Sequence, residues 1–264
     1  MSYELDYRGK RVLVTGSSSG IGQATATALV AAGAEVYGAA NRGAGEGLAG
    51  FINLDLAVPD SIEACVSAIG GRLDALFNCA GATPMIDSLD LLKVNFLGTR
   101  MLTELVVALM PSGGAVVSVS SDGGYSWRRQ QDLIVDFLEA RTFDEGLAWY
   151  AANNEAAGHP YSFSKEALDV WTMQQSALLI GRGIRINTCS PGAVQTPMLE
   201  AIEAVFPSEA IDAVTHPIGR RSTPEEQVGP LLFLNSPAAS YVNGIDIQVD
   251  GGFWAAQTLA HQFH

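Results

Sequence analysis

The sequence predicts an α/β fold, a doubly wound parallel sheet of about seven strands with helices on both faces. Short apolar runs alternate with helix-like stretches, which is the order expected of parallel βαβ units. A glycine-rich segment directly follows the first apolar run, and 48% of the residues are hydrophobic, which is ample for a large buried core. The predicted strands are residues 12–14, 35–38, 51–53, 75–78, 115–118, 184–188 and 246–249.

Helices are predicted in the intervals between these strands. The triplets that begin at Pro59 and at Ser88 carry helix start signals. No linker or internal repeat interrupts the chain, so residues 1–264 are predicted to form one domain. In such a fold the ligand lies at the carboxyl ends of the strands, where the topology reverses.

The first strand leads into a segment with the spacing Gly-x-x-x-Gly-x-Gly, at Gly16, Gly20 and Gly22, followed by a helix-like run. Strand, glycine-rich turn and helix in that order favour a dinucleotide site of the Rossmann type. Glycines permit a tight turn and close approach of the backbone to a pyrophosphate. The N-terminus of the helix then presents free N–H groups and its dipole to the phosphates.

Tyr161 and Lys165 stand four residues apart in a stretch that reads as a helix. At that spacing two side chains share one helix face, roughly 5–6 Å apart. A phenol ordinarily has a pKa of about 10, and a neighbouring ammonium stabilises the phenolate. Lys165 is therefore expected to lower the pKa of Tyr161. Such a phenol can move a proton to or from a substrate oxygen. Alone, the pair is equally consistent with a solvated helix face.

Together these sites resemble the short-chain dehydrogenase/reductase family, in its single-domain branch, along essentially the whole chain. Residues 15–22 are similar to its cofactor loop, and residues 78–81 to its Asn-x-Ala-Gly motif. Residues 191–196 resemble the segment beside the nicotinamide, and the stretches 241–244 and 250–252 resemble the last loop and strand end. The stretch around Tyr161 resembles a bacterial subgroup of hydroxysteroid dehydrogenases, carbonyl reductases and coniferyl alcohol dehydrogenases.

The resemblance implies a catalytic set and a cofactor site. Asn95 would anchor a proton-relay water, Ser121 would orient the substrate oxygen, Tyr161 would pass the proton, and Lys165 would hold the nicotinamide ribose and lower the pKa of the phenol. The implied cofactor-binding residues are Gly16, Ser18, Ser19, Gly20, Ile21, Asn41, Arg42, Asp55, Leu56, Asn78, Ala80, Gly81, Tyr161, Lys165, Pro191, Gly192, Val194 and Thr196. No metal site is predicted, because the cysteines and histidines show no ligand spacing.

The end of the second predicted strand favours NADP(H), with NAD(H) as the alternative. A carboxylate at this position would bind the ribose 2′-hydroxyl, whereas an arginine nearby accommodates a 2′-phosphate. The position at which the family places that carboxylate is Ala40, and Asn41 and Arg42 follow it. Arg42 could bind a phosphate with two hydrogen bonds, and this interpretation is favoured over the alternative of a solvated loop cation.

Ser121 and Tyr161 are 40 positions apart, a longer interval than the family usually has. Apolar residues recur at helical spacing between them, so residues 122–160 are predicted to be a helical insertion before the tyrosine. The insertion could roof the substrate pocket, remake a subunit interface, or do both. The segment after Thr196 is predicted to form a mobile substrate lid. Its apolar residues, which could equally belong to the core, are Met198, Leu199, Ile202, Val205 and Phe206. Phe253 and Trp254 could complete the pocket or an interface.

The predicted function is hydride transfer between NADP(H) and a secondary alcohol or ketone, and a bulky hydrophobic substrate is expected. The alternative is a sensor or scaffold that binds a nicotinamide nucleotide without turnover. A net charge of −13 argues against nucleic-acid partners and anionic membranes. No apolar run is long enough to span a bilayer, and Met1 begins no export leader, so a cytoplasmic enzyme is expected, assembled as a homodimer or homotetramer by resemblance.

Overall fold

The computed structural model describes residues 5–43 and 47–262. Within these residues, seven strands form one parallel sheet in the order β3-β2-β1-β4-β5-β6-β7. The strands are β1 (Arg11–Thr15), β2 (Glu35–Ala40), β3 (Gly50–Asn53), β4 (Ala75–Asn78), β5 (Ala115–Val119), β6 (Arg185–Pro191) and β7 (Asp246–Val249). The predicted fold class is thereby confirmed. Met1 to Glu4, which entered the localisation prediction, lie outside the described residues.

Helices cover both faces of the sheet. They are α1 (Gly20–Ala31), α2 (Pro59–Ile69), α3 (Ser88–Leu92), α4 (Thr99–Val107), α5 (Gln131–Leu138), α6 (Phe143–Ala157), α7 (Pro160–Leu179), α8 (Pro197–Glu203), α9 (Ser208–Ala213), α10 (Pro224–Asn235) and α11 (Phe253–Gln262). The start signals at Pro59 and Ser88 are confirmed, because α2 and α3 begin at these residues.

Alternate residues of the central strands enter two separate cores. Leu13 of β1 faces the core beneath α2, α4 and α7, whereas Val12 and Val14 face the core beneath α1 and α10. In β4, Leu76 and Phe77 divide in the same way. A strand that is buried on both faces must be apolar at every position, which explains the uninterrupted apolar runs of the sequence.

The chain order reverses between β1 and β4, since β2 and β3 lie on one side of β1 and the later strands lie on the other. All neighbouring strands are parallel, so their carboxyl ends meet at one edge of the sheet. Residues that follow β1, β4 and β5 therefore converge at this edge, which is where a doubly wound sheet binds its ligand.

The predicted helical insertion is present as α5 and α6, preceded by a 3₁₀ segment at Asp122–Gln130. Its aromatic side chains pack on Phe163 of α7: the Phe137 ring lies 5.3 Å from it and the Trp149 ring is stacked at 5.9 Å. A capping box at Thr142 and Glu145 starts α6. The insertion is thus packed against the helix that carries Tyr161 and Lys165.

Candidate functional site

A cavity of about 510 Å³ opens at the carboxyl edge of the sheet. Loops that follow six of the strands line it, so that residues far apart in the sequence meet there. The implied cofactor-binding residues that line it are Gly16, Ser18, Ser19, Gly20, Ile21, Asn41, Asp55, Leu56, Ala80, Gly81, Tyr161, Lys165, Pro191, Gly192, Val194 and Thr196. Ser121 lines it as well, whereas Arg42, Asn78 and Asn95 do not.

The backbone of the glycine loop lies against the backbone of neighbouring segments, with no room for side chains between them. A Cβ atom at Gly16, which has a φ of 66°, would lie 2.9 Å from the backbone of Ala80. One at Gly22 would lie 2.3 Å from the carbonyl oxygen of Gly16, closer than atoms can approach. The side chain of Ser19 makes no capping hydrogen bond at the start of α1, so the first N–H groups of this helix are available to a ligand. This arrangement fits a pyrophosphate.

The loop after β2 lies beside the glycine loop. A Cβ atom at Gly43 would come 3.3 Å from the Cβ of Ser18. Asn41 lines the cavity, whereas Arg42 is exposed, and no hydrogen bond or ion pair holds its side chain within the described part of the chain. Arg42 is therefore free to turn towards a group bound beside Ser18.

Asp55 and Asn78 differ in what their side chains do. Asp55 lines the cavity after β3, and its carboxylate accepts the Ala57 backbone N–H at 2.9 Å. The amide nitrogen of Asn78 donates to the hydroxyls of Thr103 and Ser118 at 2.9 and 3.1 Å, away from the cavity. Asn78 therefore ties β4 to α4 and β5, and it acts on the site only by holding the strand end in place.

Ser121 and Tyr161 face each other across Gly123. A Cβ atom at Gly123 would lie 3.5 Å from both the Ser121 Oγ and the Tyr161 Cε1. The Ser121 Oγ accepts the Gly123 N–H at 3.1 Å and donates to the carboxylate of Asp122 at 2.9 Å. The serine thus stands at the start of the 3₁₀ segment, and the tyrosine stands on the first turn of α7.

The sequence predicts that Lys165 lowers the pKa of Tyr161, whereas in this structure the pKa is raised. Burial raises the pKa of the phenol, the neighbouring Ser121 hydroxyl lowers it, and the charge of Asp122 raises it further. The Lys165 ammonium lies 5.9 Å from the centre of the tyrosine ring and donates instead to the Val119 carbonyl at 2.9 Å. Because burial outweighs the effect of Ser121, the pKa of the phenol is raised and the phenol stays protonated in the free protein.

Lys165 is itself strongly affected by burial. Its side chain is 5% exposed, and this burial lowers the pKa of the ammonium to about 8, while the nearby carboxylate of Asp169 opposes the shift. Asp169 follows one turn later on α7 and is 1% exposed. A lysine with a depressed pKa can switch its charge close to neutral pH, as a group that supports proton transfer must.

Asn95 lies behind the cavity rather than in its wall. It sits in a π-helical stretch at Lys93–Gly98, a form that is frequent at functional sites. Its Oδ1 accepts the Ala82 N–H at 2.7 Å, and its Nδ2 lies 3.4 Å from the Ser164 hydroxyl. A Cβ atom at Gly81 would approach the Asn95 Oδ1 to 3.4 Å and the Lys165 Nζ to 3.9 Å. Asn95 and Lys165 therefore converge on one glycine.

The segment after Thr196 forms one wall of the cavity. Met198, Leu199, Ile202 and Phe206 all line it, as the sequence predicts, but Val205 does not and is 61% exposed. The Thr196 hydroxyl caps α8, because it accepts the Leu199 N–H at 3.3 Å. This wall is apolar, so it suits the body of a hydrophobic ligand.

Arg221 ties the two lid helices to the rest of the fold. Its guanidinium contacts Glu203 of α8 at 2.5 Å and Asp212 of α9 at 3.0 Å. A single side chain therefore joins the two helices that follow Thr196.

Apart from its first residue, Asp122, the insertion does not enter the cavity, and neither do the C-terminal aromatics. None of residues 123–160 lines it, and neither Phe253 nor Trp254 does. Trp254 instead stacks on Tyr125 at 4.5 Å and donates from its indole nitrogen to the Asp122 carbonyl at 2.6 Å. These aromatics brace the segment that carries Ser121.

Sequence reasoning missed Asp122, which lines the cavity next to Ser121. A single aspartate after a serine carries no motif, and only its hydrogen bond to the Ser121 hydroxyl reveals its place. Burial raises the pKa of its carboxyl, and the charge of Asp250 adds to this, against the hydrogen bonds from Ser121 and Gly123. Among the described residues, no cluster of potential metal ligands and no helix able to cross a membrane is found.

The fold and this cavity define an oxidoreductase that binds a nicotinamide nucleotide. Family models match two long stretches, "short chain dehydrogenase" over residues 10–131 and "Enoyl-(Acyl carrier protein) reductase" over residues 147–254. The coniferyl-alcohol dehydrogenase of Pseudomonas sp. (strain HR199 / DSM 7063) is 35% identical to this chain, with 92% of this chain and 96% of that protein covered. The chain therefore belongs to the short-chain dehydrogenase/reductase family.

Two further relatives agree with this assignment. The 3-alpha-hydroxysteroid dehydrogenase/carbonyl reductase of Comamonas testosteroni is 33% identical, with 91% of this chain and 95% of that protein covered. The crystal structure of a 3-alpha-hydroxysteroid dehydrogenase from Pseudomonas sp. B-0831, complexed with NADH, superposes with a TM-score of 0.81 at 30% identity, covering 94% of this chain and 98% of that one.

Proposed function

We propose that the chain is an NADP(H)-dependent carbonyl reductase and alcohol dehydrogenase for secondary alcohols and ketones with a bulky hydrophobic body. The observation that carries this proposal is that Ser121, Tyr161 and Lys165 line one cavity together with the glycine loop at Gly16 and Gly20. A proton-transfer group and a pyrophosphate cradle in one cavity are what hydride transfer to a carbonyl carbon requires.

The residues present fit the nucleotide along the whole cavity. The uncapped start of α1 and the close approach of Gly22 to Gly16 favour a pyrophosphate. By family resemblance, Asp55 and Leu56 would contact the adenine, Lys165 the nicotinamide ribose, and Thr196 the carboxamide. When bound, the nicotinamide supplies or accepts the hydride.

Proton transfer falls to Tyr161. In ketone reduction a neutral phenol gives its proton to the substrate oxygen, and the raised pKa of Tyr161 keeps the phenol neutral in the free protein. Ser121 holds the same oxygen from the other side of Gly123. In alcohol oxidation the phenolate is needed, and the ammonium of Lys165 is the cation that stabilises it. Asn95, close to Lys165 at Gly81, would complete the path of the proton to solvent.

The preference for NADP(H) rests on the loop after β2. Ala40 and Asn41 offer no carboxylate to repel a 2′-phosphate. Arg42 is exposed, and its side chain makes no hydrogen bond or ion pair within the described residues. Gly43 lies against Ser18, which brings this loop to the adenosine end of the cavity. A guanidinium here can bind a phosphate with two charge-assisted hydrogen bonds.

The preference for a bulky hydrophobic substrate rests on the lid. Met198, Leu199, Ile202 and Phe206 form an apolar wall beyond the catalytic end of the cavity. The acidic surface, with a net charge of −13, supports a small-molecule substrate rather than a nucleic acid. We also propose that the protein acts in the cytoplasm as a homodimer or homotetramer, as the resemblance implies.

The test is a steady-state assay of nicotinamide absorbance with a panel of ketones and alcohols, offering NADPH and NADH separately. We expect aryl or steroid-like ketones to be reduced with a higher kcat/KM than small sugars, and NADPH to be used faster than NADH. Activity confined to small polar sugars or acids would contradict the substrate class. Faster use of NADH would contradict the cofactor preference and leave the reaction class standing.

A further inference from the structure

Asp122 places a carboxylate at the catalytic end of the cavity, where the sequence offered no reason to expect one. Asp55 and Asp122 are the two carboxylates in the cavity wall, and Asp55 follows β3, at the end opposite the catalytic serine. Met198, Leu199, Ile202 and Phe206 give the same cavity an apolar wall. An acceptor with a negative charge therefore stands beside Ser121, next to the position of the reacting carbon.

The carboxylate retains unused capacity to accept hydrogen bonds. Two carboxylate oxygens offer about four acceptor positions. The Ser121 hydroxyl donates to the Oδ1 atom at 2.9 Å, and the Gly123 N–H is the other donor beside the group. Since the cavity lies on the open side, a donor on a ligand can occupy what remains.

The position of Asp122 is fixed by its neighbours. Its carbonyl accepts the indole N–H of Trp254 at 2.6 Å, and the backbone N–H of Trp254 donates to Asp250 at 2.9 Å. Trp254 is stacked on Tyr125, three residues after Asp122. On the inner side, a Cβ atom at Gly124 would lie 2.4 Å from the Asp169 carboxylate, so this segment has no room to shift inwards. The acceptor is preorganised rather than mobile.

The distance from the Asp122 carboxylate to the substrate oxygen suits a functional group on the carbon next to the reacting carbon. A substrate oxygen held by Ser121 and Tyr161 lies one hydrogen bond from the Ser121 Oγ and two from the carboxylate, which is roughly 5 Å. A hydroxyl on the carbon next to the reacting carbon can bridge that gap. A substrate carboxylate at the same place would meet like charge.

We propose that Asp122 binds a hydroxyl group on the carbon adjacent to the reacting carbon, so that the preferred substrates are hydroxy ketones and vicinal diols with an apolar body. This inference rests on the proposed function and narrows its substrate class. When the Ser121 hydroxyl donates its one hydrogen bond to the substrate oxygen, Asp122 loses that donor. Simple ketones of the same shape are poorer substrates because they leave this acceptor position empty, and 2-oxo acids are excluded by charge.

Three aryl ketones test the proposal. They are 2-hydroxy-1-phenylethanone, its isostere 1-phenylpropan-1-one, in which a methyl replaces the hydroxyl, and phenylglyoxylate. The wild type is compared with Asp122→Leu, which removes the acceptor, and Asp122→Asn, which removes the charge alone. Any general loss from disturbing Ser121 cancels in the ratio of kcat/KM between two substrates of one variant.

The measured quantity is the ratio of kcat/KM for the hydroxy ketone to kcat/KM for its isostere. We expect this ratio to be about 10- to 100-fold higher in the wild type than in Asp122→Leu, as the loss of a hydrogen bond to a charged group predicts. Asp122→Asn should gain activity on phenylglyoxylate relative to the isostere. An unchanged ratio in Asp122→Leu, or equal use of the two ketones by the wild type, would overturn the inference and leave the proposed function intact. Turnover of none of the ketones would instead contradict the proposed function itself. If the variants do not fold, the wild-type ratio decides alone.

Discussion

At the scale of single residues, the site is controlled by burial more than by pairing. Burial raises the pKa of Tyr161 and lowers that of Lys165 to about 8 in the same cavity. Both shifts favour the uncharged form, as desolvation predicts. The free protein therefore holds a neutral acid beside a cation whose charge is costly, and a bound ligand can stabilise that charge.

Removing the buried cation should stabilise the free protein. Between about pH 8 and 10.5 the folded chain binds fewer protons at Lys165 than the unfolded chain does, so the free energy of unfolding rises with pH. Below about pH 8 both states carry the ammonium, and its burial destabilises the folded state in full. Lys165→Met should raise the free energy of unfolding near pH 7 by on the order of 3 kcal/mol, and the gain should vanish as pH approaches the top of the window.

Thermal unfolding of both proteins without nucleotide, across this pH range, checks the sign. Lys93→Met, which removes a surface lysine paired with Asp90 at 2.8 Å, is the matched control. A Lys165→Met protein less stable than wild type near neutral pH would refute the claim that burial of the ammonium is unfavourable.

Arg42 offers a second test at this scale. We expect Arg42→Ala to weaken NADPH binding about tenfold or more while NADH binding changes little, because only NADPH carries the phosphate. Dissociation constants from tryptophan fluorescence measure both. Equal losses for the two nucleotides, or none, would count against the phosphate contact.

At the scale of elements, the glycine loop and α1 form one unit with no spare volume. Gly22 belongs to the first turn of α1, and its α-carbon faces the Gly16 carbonyl. A methyl group there has to push the loop away from the helix. The loop then no longer presents the N-terminus of α1 to a pyrophosphate.

Gly22→Ala should therefore lower nucleotide affinity at least tenfold, about 1.4 kcal/mol. Gly181→Ala is the matched control: a Cβ atom there would meet nothing within 4 Å, and its backbone is not left-handed. Titration of both variants with NADPH gives the dissociation constants that test this prediction. Wild-type affinity in Gly22→Ala would show that the loop is not the phosphate cradle.

The lid helices depend on Arg221. Its ion pairs with Glu203 and Asp212 are reached by solvent, so screening keeps each of them weak. Arg221→Met should raise KM for a bulky ketone roughly 3- to 10-fold through a looser lid. Arg220→Met removes the neighbouring arginine, which pairs with Glu226 outside the lid, and should leave KM near the wild-type value. Equal effects of the two changes would assign the loss to general destabilisation.

At the scale of the whole molecule, the sequence predicted the sheet because each central strand is buried on both faces. All seven predicted strands are present, with ends that differ by three residues at most. The largest difference is at β6, which continues through Pro191: proline argues against a strand in sequence, yet Pro191 still pairs beside Val249. Periodicity also revealed α5 and α6 but not the aromatic packing that places them outside the cavity.

The candidate site was predictable to the extent that its residues carry motifs. The glycine loop, Tyr161 and Lys165 were found by spacing and Ser121 by resemblance to the family, and the fold brings all of them to one cavity. Asn78 and Arg42 were expected in the wall and lie outside it, because the amide of Asn78 is bound to Thr103 and Ser118 and Arg42 extends into solvent. The raised pKa of Tyr161 could not be predicted, since burial depends on the packing of the whole fold.

The central claim is that this cavity transfers a proton through Tyr161 while a hydride is exchanged with a nicotinamide nucleotide. The most direct measurement compares wild type with Tyr161→Phe for NADPH oxidation by an aryl ketone, with nucleotide affinity measured on the same samples. We predict unchanged affinity and a kcat lower by about 10²–10⁴-fold in the variant. Nucleotide binding without turnover in the wild type, or equal turnover in the two proteins, would contradict the claim.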